Sequence, residues 1–272
     1  MIRVFPRRTK WTPIDQLAFV GDPPLFRPSK DMPVRVSVTF TWDILEAERL
    51  FRSWSDHYSD VQIGGPAFGD PGGEFEPNLF CKEGVVITSR GCPNRCGFCM
   101  VPKREGMLRQ LKIKEGWIIQ DNNLLACSKS HVEAVFVMLR RQKHGITFSG
   151  GIESALFTSW HRELIDSIKL SEIWFACDHP NAIKPLGSVA KLLDGISLNK
   201  RRCYVLIGKD ETTAQASERL MAVLKLGFLP FAQLYQPEIP IVYSQRWRNL
   251  ARQWSRPAIY KSFLKSEEVS RD

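Results

Sequence analysis

GVVITSRGCPNRCGFC, residues 84–99, runs a short apolar segment into a loop that carries three cysteines, Cys92, Cys96 and Cys99. GVVITS (84–89) reads as a strand, because it is short, β-branched and bounded by glycine and a turn. The cysteines stand just beyond its carboxyl end, 4 and then 3 positions apart. From here the chain alternates strand-like and helix-like segments. WIIQD (117–121) is the next strand, and Ser130 with Glu133 reads as a capping box for HVEAVFVMLRRQ. ITFSGG (146–151), EIWFACD (172–178), CYVLIGKD (203–210) and FLPFAQLY (228–235) are further strands. Helical patterns lie between them, one spanning about 181–194, and Gly227 suits a helix C-cap. Short apolar strands separated by amphipathic helices point to an α/β fold with a parallel sheet buried on both faces. Six such strands make an open doubly wound sheet or a partial barrel, and both place working residues on loops after the strands' carboxyl ends.

Upstream, the first 33 residues are rich in proline and show no sustained period, which reads as an extended arm. VRVSVTF (34–40), ILEAERLFRSW (44–54) and VQIGG (61–65) then read as strand, helix and strand. GDPGGEFEPN (69–78) has the composition of a linker. Three regions result: an arm with a small strand–helix–strand module over 1–80, the alternating region over 81–240, and a basic, aromatic segment over 241–272.

The chain has 272 residues, 43% hydrophobic and 25% charged, as an ordinary globular protein has. It shows neither a secretory leader nor an apolar run long enough for a membrane helix, so a cytoplasmic location and no membrane partner are expected. Seven cysteines is an odd number and argues against a disulfide framework. The net charge of +9 suits a polyanionic partner such as nucleic acid, or simply a basic surface. In SQRWRNLARQWSRPAIYKSFLK (244–265), basic residues interleave with Trp247, Trp254, Tyr260 and Phe263. That mixture can bind phosphates and stack bases, but the helical spacing of Trp247, Leu250 and Trp254 favours an amphipathic helix.

Zinc would want a fourth ligand near the three clustered cysteines, and a redox pair needs only two. An iron–sulfur cluster takes thiolates by preference, and three of them leave one iron of a four-iron cluster open. Cys81, Cys127, Cys177 and Cys203 are dispersed, as small core residues are; a second cluster is the alternative.

With Phe98 directly before the last cysteine, CxxxCxxC after a first strand resembles the radical SAM enzymes. ITSRGCPNRCGFCMVPKREG carries the resemblance, supported by IGKDETTAQASERL and LGFLPFAQLYQP over roughly residues 84–265. It implies a partial (β/α)6 TIM-like barrel with a small N-terminal α/β extension. It also implies a [4Fe-4S] cluster on Cys92, Cys96 and Cys99, with S-adenosylmethionine on the open iron. The cluster would be reduced by a protein such as flavodoxin or ferredoxin, and its electron would split S-adenosylmethionine into methionine and a 5′-deoxyadenosyl radical that takes hydrogen from a substrate the sequence does not name. By position, Ile207 and Gly208 would meet the adenosyl moiety, with Asp210 or Glu211 as polar contacts and helix capping by Asp210, Thr212 and Thr213 as the plain reading. The family's Gly-Gly-Glu motif is absent after the second strand. Either Asp121 and Asn122, by position, or Gly150, Gly151 and Glu153, by type, would grip the cofactor's amino group. Only 17 residues separate Cys99 from Trp117, which shortens or removes the usual intervening helix. Cys177, Asp178 and Tyr235, at strand ends, are candidate catalytic residues, with His179 beside them.

The N-terminal module is similar to the end of the cobalamin-binding domain that precedes some members of the family, but Asp56-His57 lacks that domain's ligating pattern, which argues against cobalamin. Methylthiotransferases share the late-strand pattern. A methyl- or methylthio-transferase acting on RNA or another macromolecule is therefore one alternative, and a non-catalytic Fe–S or zinc nucleic-acid module is another.

Overall fold

The computed structural model describes residues 1–237, 241–256 and 259–260. Phe263 and the other residues of the basic aromatic segment at 257–258 and 261–272 lie outside them. The chain divides into two compact units, Met1–Asn122 and Asn123–Asp272.

The first unit holds a four-stranded parallel sheet of β1 (Ile2–Phe5), β2 (Ala18–Val20), β3 (Val34–Ser37) and β4 (Val61–Gly64), in the order β2-β1-β3-β4. Helix α1 (Ile44–Ser55) joins β3 to β4, as the sequence leads one to expect. Its buried residues Ala47, Leu50 and Trp54 follow helical spacing and close a core with Ile2, Val4, Val34, Val36, Val38 and Tyr58. Strands β1 and β2 correct the expected extended arm. All four residues of β1 are buried, so there is no alternation to read, and Arg3 interrupts the apolar run. Arg3 is tolerated there because its guanidinium donates to the carbonyls of Asn78 (3.0 Å) and Leu79 (2.9 Å) and pairs with Asp15. The stretch with a linker's composition is mostly exposed, as a linker is, but it is tied to the unit by the buried Phe75 and the Asn78 carbonyl.

Beyond it, β5 (Val85–Val86) pairs in parallel with β8 (Ile118–Ile119). Between them β6 (Ser89–Arg90) turns back antiparallel onto β7 (Arg109–Gln110), with Ser89 opposite Gln110 and Arg90 opposite Arg109. The expected shortening after the cysteines is borne out: the intervening helix α2 (Val101–Arg104) is one turn long.

In the second unit, β9 (Ile146–Phe148), β10 (Leu170–Ala176), β11 (Arg201–Ile207) and β12 (Leu229–Leu234) form parallel pairs in sequential order. Helices α3 (Lys129–Arg140), α4 (Ser159–Asp166), α5 (Ile183–Leu192) and α6 (Thr213–Lys225) occur around and between them, and α7 (Gln245–Trp254) follows. The cap of α3 is Ser128, whose hydroxyl accepts from His131 N, so the capping box read at Ser130 and Glu133 is corrected by two residues. Gly227 follows α6 with φ +82°, the left-handed C-cap expected of it.

The expectation of a sheet buried on both faces is also corrected. Ile173, Phe175, Cys203, Val205 and Ala232 are buried on one face. Trp174, Tyr204, Leu206 and Phe231, alternating with them, are only half-buried, and Ala176 and Gln233 are exposed. On that half-open face Trp174 stacks on Tyr204 (4.3 Å between centroids) and Phe231 meets Tyr204 edge-on. Large aromatics there keep the apolar runs unbroken in the sequence, which hides the alternation. The fold is α/β with parallel sheets, and no closed barrel is present among the described residues. No helix among them is long and apolar enough to cross a membrane.

Candidate metal centre

The cysteines ride on an excursion, residues 91–108, that leaves β6 and returns on β7. Its stalk is closed by Cys92 N donating to Gly106 O (3.3 Å) and Leu111 N to Thr88 O (2.9 Å). Gly91 turns the chain into the loop with φ +77°, and a Cβ there would lie 2.3 Å from Met107 O, so no other residue fits. Cys99 N bonds Cys96 O (2.9 Å), which makes the last two cysteines one tight turn ahead of α2. Cys96 is exposed, and Cys92, Cys99 and Phe98 are half-buried. Gly97 is not in the left-handed region and has open space where a side chain would start, so this backbone does not itself demand glycine there.

Asp121 and Asn122 hold the base of this loop. The buried Asp121 carboxylate accepts from Thr88 N (2.7 Å), Thr88 Oγ1 (2.6 Å) and Ser89 Oγ (2.7 Å). Burial pushes its pKa up to about 6 against the opposing pull of those donors. Asn122 Oδ1 accepts from Gly91 N (2.9 Å), at the residue that turns into the loop. Both side chains are therefore engaged with the loop's own backbone and its stalk. Thr88 and Ser89, which look like ordinary strand residues in the sequence, are the donors that make this anchor.

The loop's one carboxylate, Glu105, is tied by Oε1 to Arg104 Nη2 (2.6 Å), and the loop has no histidine. The available donors are thus three thiols. Among the described residues, no three or more His, Cys, Asp or Glu side chains are gathered closely enough to hold a metal ion. The donor chemistry nonetheless fits a thiolate-bound cluster: all three cysteines belong to one loop anchored at its base, with a partly or fully exposed residue at each position.

In the second unit, Gly150 has open space at its Cβ position, and Gly151 has φ +73° and accepts from Leu124 N (3.0 Å). Glu153 Oε2 accepts from Asn123 Nδ2 (2.6 Å). Ile207 is buried at the end of β11. Gly208 follows it with φ +83°, its Cβ position 2.7 Å from the Tyr243 ring, and its N–H donates to Glu211 Oε1 (3.0 Å). Glu211 is paired in turn with the buried Arg219 of α6 (2.7 Å), which also donates to Leu206 O. Thr212 caps α6 with Gln215, and Asp210 stands in the left-handed region at φ +52°. The plain capping reading therefore holds for Thr212, while Glu211 belongs to a buried ion pair.

The strand-end candidates lie mostly within the packing. Cys177 is fully buried, its thiol pushed up to about 12 by burial, so it is a core thiol rather than a nucleophile. Asp178 Oδ1 accepts from Leu206 N (3.0 Å), stitching the end of β10 to β11. Tyr235 is half-buried, with its carbonyl taken by Tyr243 OH (2.6 Å). Cys203 is buried, and Cys81 and Cys127 are half-buried. Along α7, Trp254 is buried and Trp247 and Leu250 are half-buried, while Arg246, Arg248 and Arg252 are exposed, as the amphipathic reading requires.

Compared with protein-family models and with curated proteins, the sequence matches none of them.

Proposed function

We propose that the chain is an iron–sulfur enzyme of the radical SAM type, with a [4Fe-4S] cluster on Cys92, Cys96 and Cys99. One observation carries the reading: three thiols stand on a single loop pinned at its base by Gly91, Asp121 and Asn122. A cluster held by Cys92, Cys96 and Cys99 would supply the electron for reductive cleavage of S-adenosylmethionine. The chain's part is to hold the loop and to bind and orient the cofactor. Asp121 and Asn122 serve the loop, which leaves Gly150, Gly151 and Glu153 as the better candidates for the methionine amino group. Ile207 and Gly208 are the candidates for the adenosyl moiety, and Phe98 for shielding the cluster. A partial (β/α)6 TIM-like barrel belongs to the same proposal, its working residues standing on loops after the strands' carboxyl ends. A cytoplasmic setting and a flavodoxin- or ferredoxin-like reductant belong to the same proposal.

The test is anaerobic reconstitution with iron and sulfide. About four of each per chain are expected, with strong loss in Cys96→Ala. Dithionite and S-adenosylmethionine should then release 5′-deoxyadenosine. An intact cluster that releases none overturns the enzyme reading, and full iron retention in Cys96→Ala overturns the ligand assignment.

A further inference from the structure

The first unit holds a half-open cavity of about 600 Å³, a size that suits a drug- or nucleotide-sized ligand. Trp11, Phe40, Phe75 and Phe80 line it, with Arg90 and Glu105 among its polar groups. Four arginines reach the cavity, and three of them have close ion-pair partners. Arg7 pairs with Asp43, Arg35 with Asp60 and the Val34 carbonyl, and Arg104 with Glu105. Arg90 is different. Its side chain is only 17% exposed, yet its guanidinium forms no hydrogen bond among the described residues. Among the described residues its one ion-pair partner is Glu105 Oε2, at 3.8 Å, beyond hydrogen-bonding distance.

The guanidinium is also held in place. Gly72, with φ +65°, packs its backbone so closely that a Cβ there would lie 2.5 Å from Arg90 Cζ. Of its donors, the Nε–H is buried with no acceptor, and a buried unpaired N–H is costly unless something accepts from it. Two guanidinium groups, Arg90 and Arg104, converge on the single carboxylate of Glu105, while Asp70, Glu74 and Glu76 also line the cavity. Lys10 and Lys82 stand over the Trp11 ring at 4.7 and 5.0 Å, adding positive potential beside an aromatic wall.

We propose that this cavity is a binding site for an organic anion with an aromatic body, its carboxylate or phosphate taken by Arg90 and its ring by the aromatic walls. The shared chemistry is an oxyanion acceptor on a flat apolar group, which a guanidinium fork recognises bidentately. The site stands on the geometry of the first unit alone and does not depend on the cluster. Because Arg90 belongs to β6 and Glu105 follows α2, an anion on Arg90 lies at the foot of the cysteine loop. If the cluster reading holds, this is where we place the substrate.

Isothermal titration of the full-length chain, without cluster loading, tests the site directly. The probes are adenosine 5′-monophosphate and indole-3-acetate, each beside its neutral counterpart, adenosine and indole-3-acetamide. At least one anion should bind ten-fold or more tightly than its counterpart, and the one that does distinguishes phosphate from carboxylate. Arg90→Met should remove that preference and Arg90→Lys should keep part of it. Phe80→Ala, at a partly exposed wall, should weaken binding several-fold with an unchanged circular dichroism spectrum. Equal binding of anion and neutral form, or no binding of either anion, overturns the proposal. Wild-type affinity in Arg90→Met overturns it too; should that variant fail to fold, wild-type affinity in both Arg90→Lys and Phe80→Ala does the same.

Discussion

Asp121 shows what burial does to a carboxylate that has partners but no countercharge. Three donors favour its ionised form, yet loss of water outweighs them and its pKa stands near 6. The sign follows from linkage. Below the unfolded value of 3.8 the proton is held in both states; between there and about 6 only the native state holds it. Stability from this group is therefore fully present below about pH 4 and lost as pH rises towards 6. A displacement of that size corresponds to about 3 kcal/mol. Urea unfolding across pH 4–7 should show this decline in the wild type and a flatter profile in Asp121→Asn, which cannot ionise. An identical slope in both proteins would sink the assignment. Gly91 offers a sharper contrast with its neighbour in the same loop. Gly91→Ala forces a side chain onto Met107 O in a left-handed conformation, so a loss of roughly 3 kcal/mol or more is expected. Gly97→Ala meets open space and should change the melting temperature little. In the sequence the two glycines look alike; only the course of the return strand separates them.

At the scale of elements, legibility follows periodicity. The β3–α1–β4 module and the succession from β9 to β12 are readable because their helices repeat at 3.6 residues and their strands end in turn residues. β1 is not, because four buried residues around an arginine carry no period, and their partners are distant carbonyls at Asn78 and Leu79. The cysteines are legible as candidate ligands by spacing, but the antiparallel stalk of two-residue strands beneath them is too short to leave a pattern. The turn after β11 is half legible. Thr212 and Gln215 announce a helix start, whereas the pairing of Glu211 with Arg219, eight residues on, does not show in a local pattern. That pair is buried on both sides, at 8% and 6% exposure, and holds Gly208 N and Leu206 O as well. Removing one partner strands a buried charge, so Glu211→Ala should cost about 3–5 kcal/mol. Glu211→Gln, which still accepts from Gly208 N, should cost less. A double variant, Glu211→Leu with Arg219→Met, should lose less than the sum of its single changes, measured as a double-mutant cycle. Strict additivity would show that the pair does not act as a unit.

For the whole molecule, the decisive property is that its cores close without the cysteine loop. In the first unit Ile2, Val36, Leu50 and Trp54 are buried in one cluster, and in the second Phe175, Val205 and Leu220 are buried. None of these lies in the excursion 91–108. A structural metal site behaves differently: its ligands fold the chain, and chelation unfolds it. On the proposed function, cluster binding should add stability without creating the fold. Anaerobic treatment of the reconstituted protein with a strong iron chelator should remove the metal and lower the melting temperature, while the far-ultraviolet circular dichroism stays that of a folded α/β protein. Rebinding should need only iron, sulfide and reduced thiols, with no refolding step. Collapse of the secondary structure on chelation would instead make Cys92, Cys96 and Cys99 ligands of a structural metal. Because Cys96 stands exposed on a loop whose base is pinned by Asp121 and Asn122, the first outcome is the one the fold dictates.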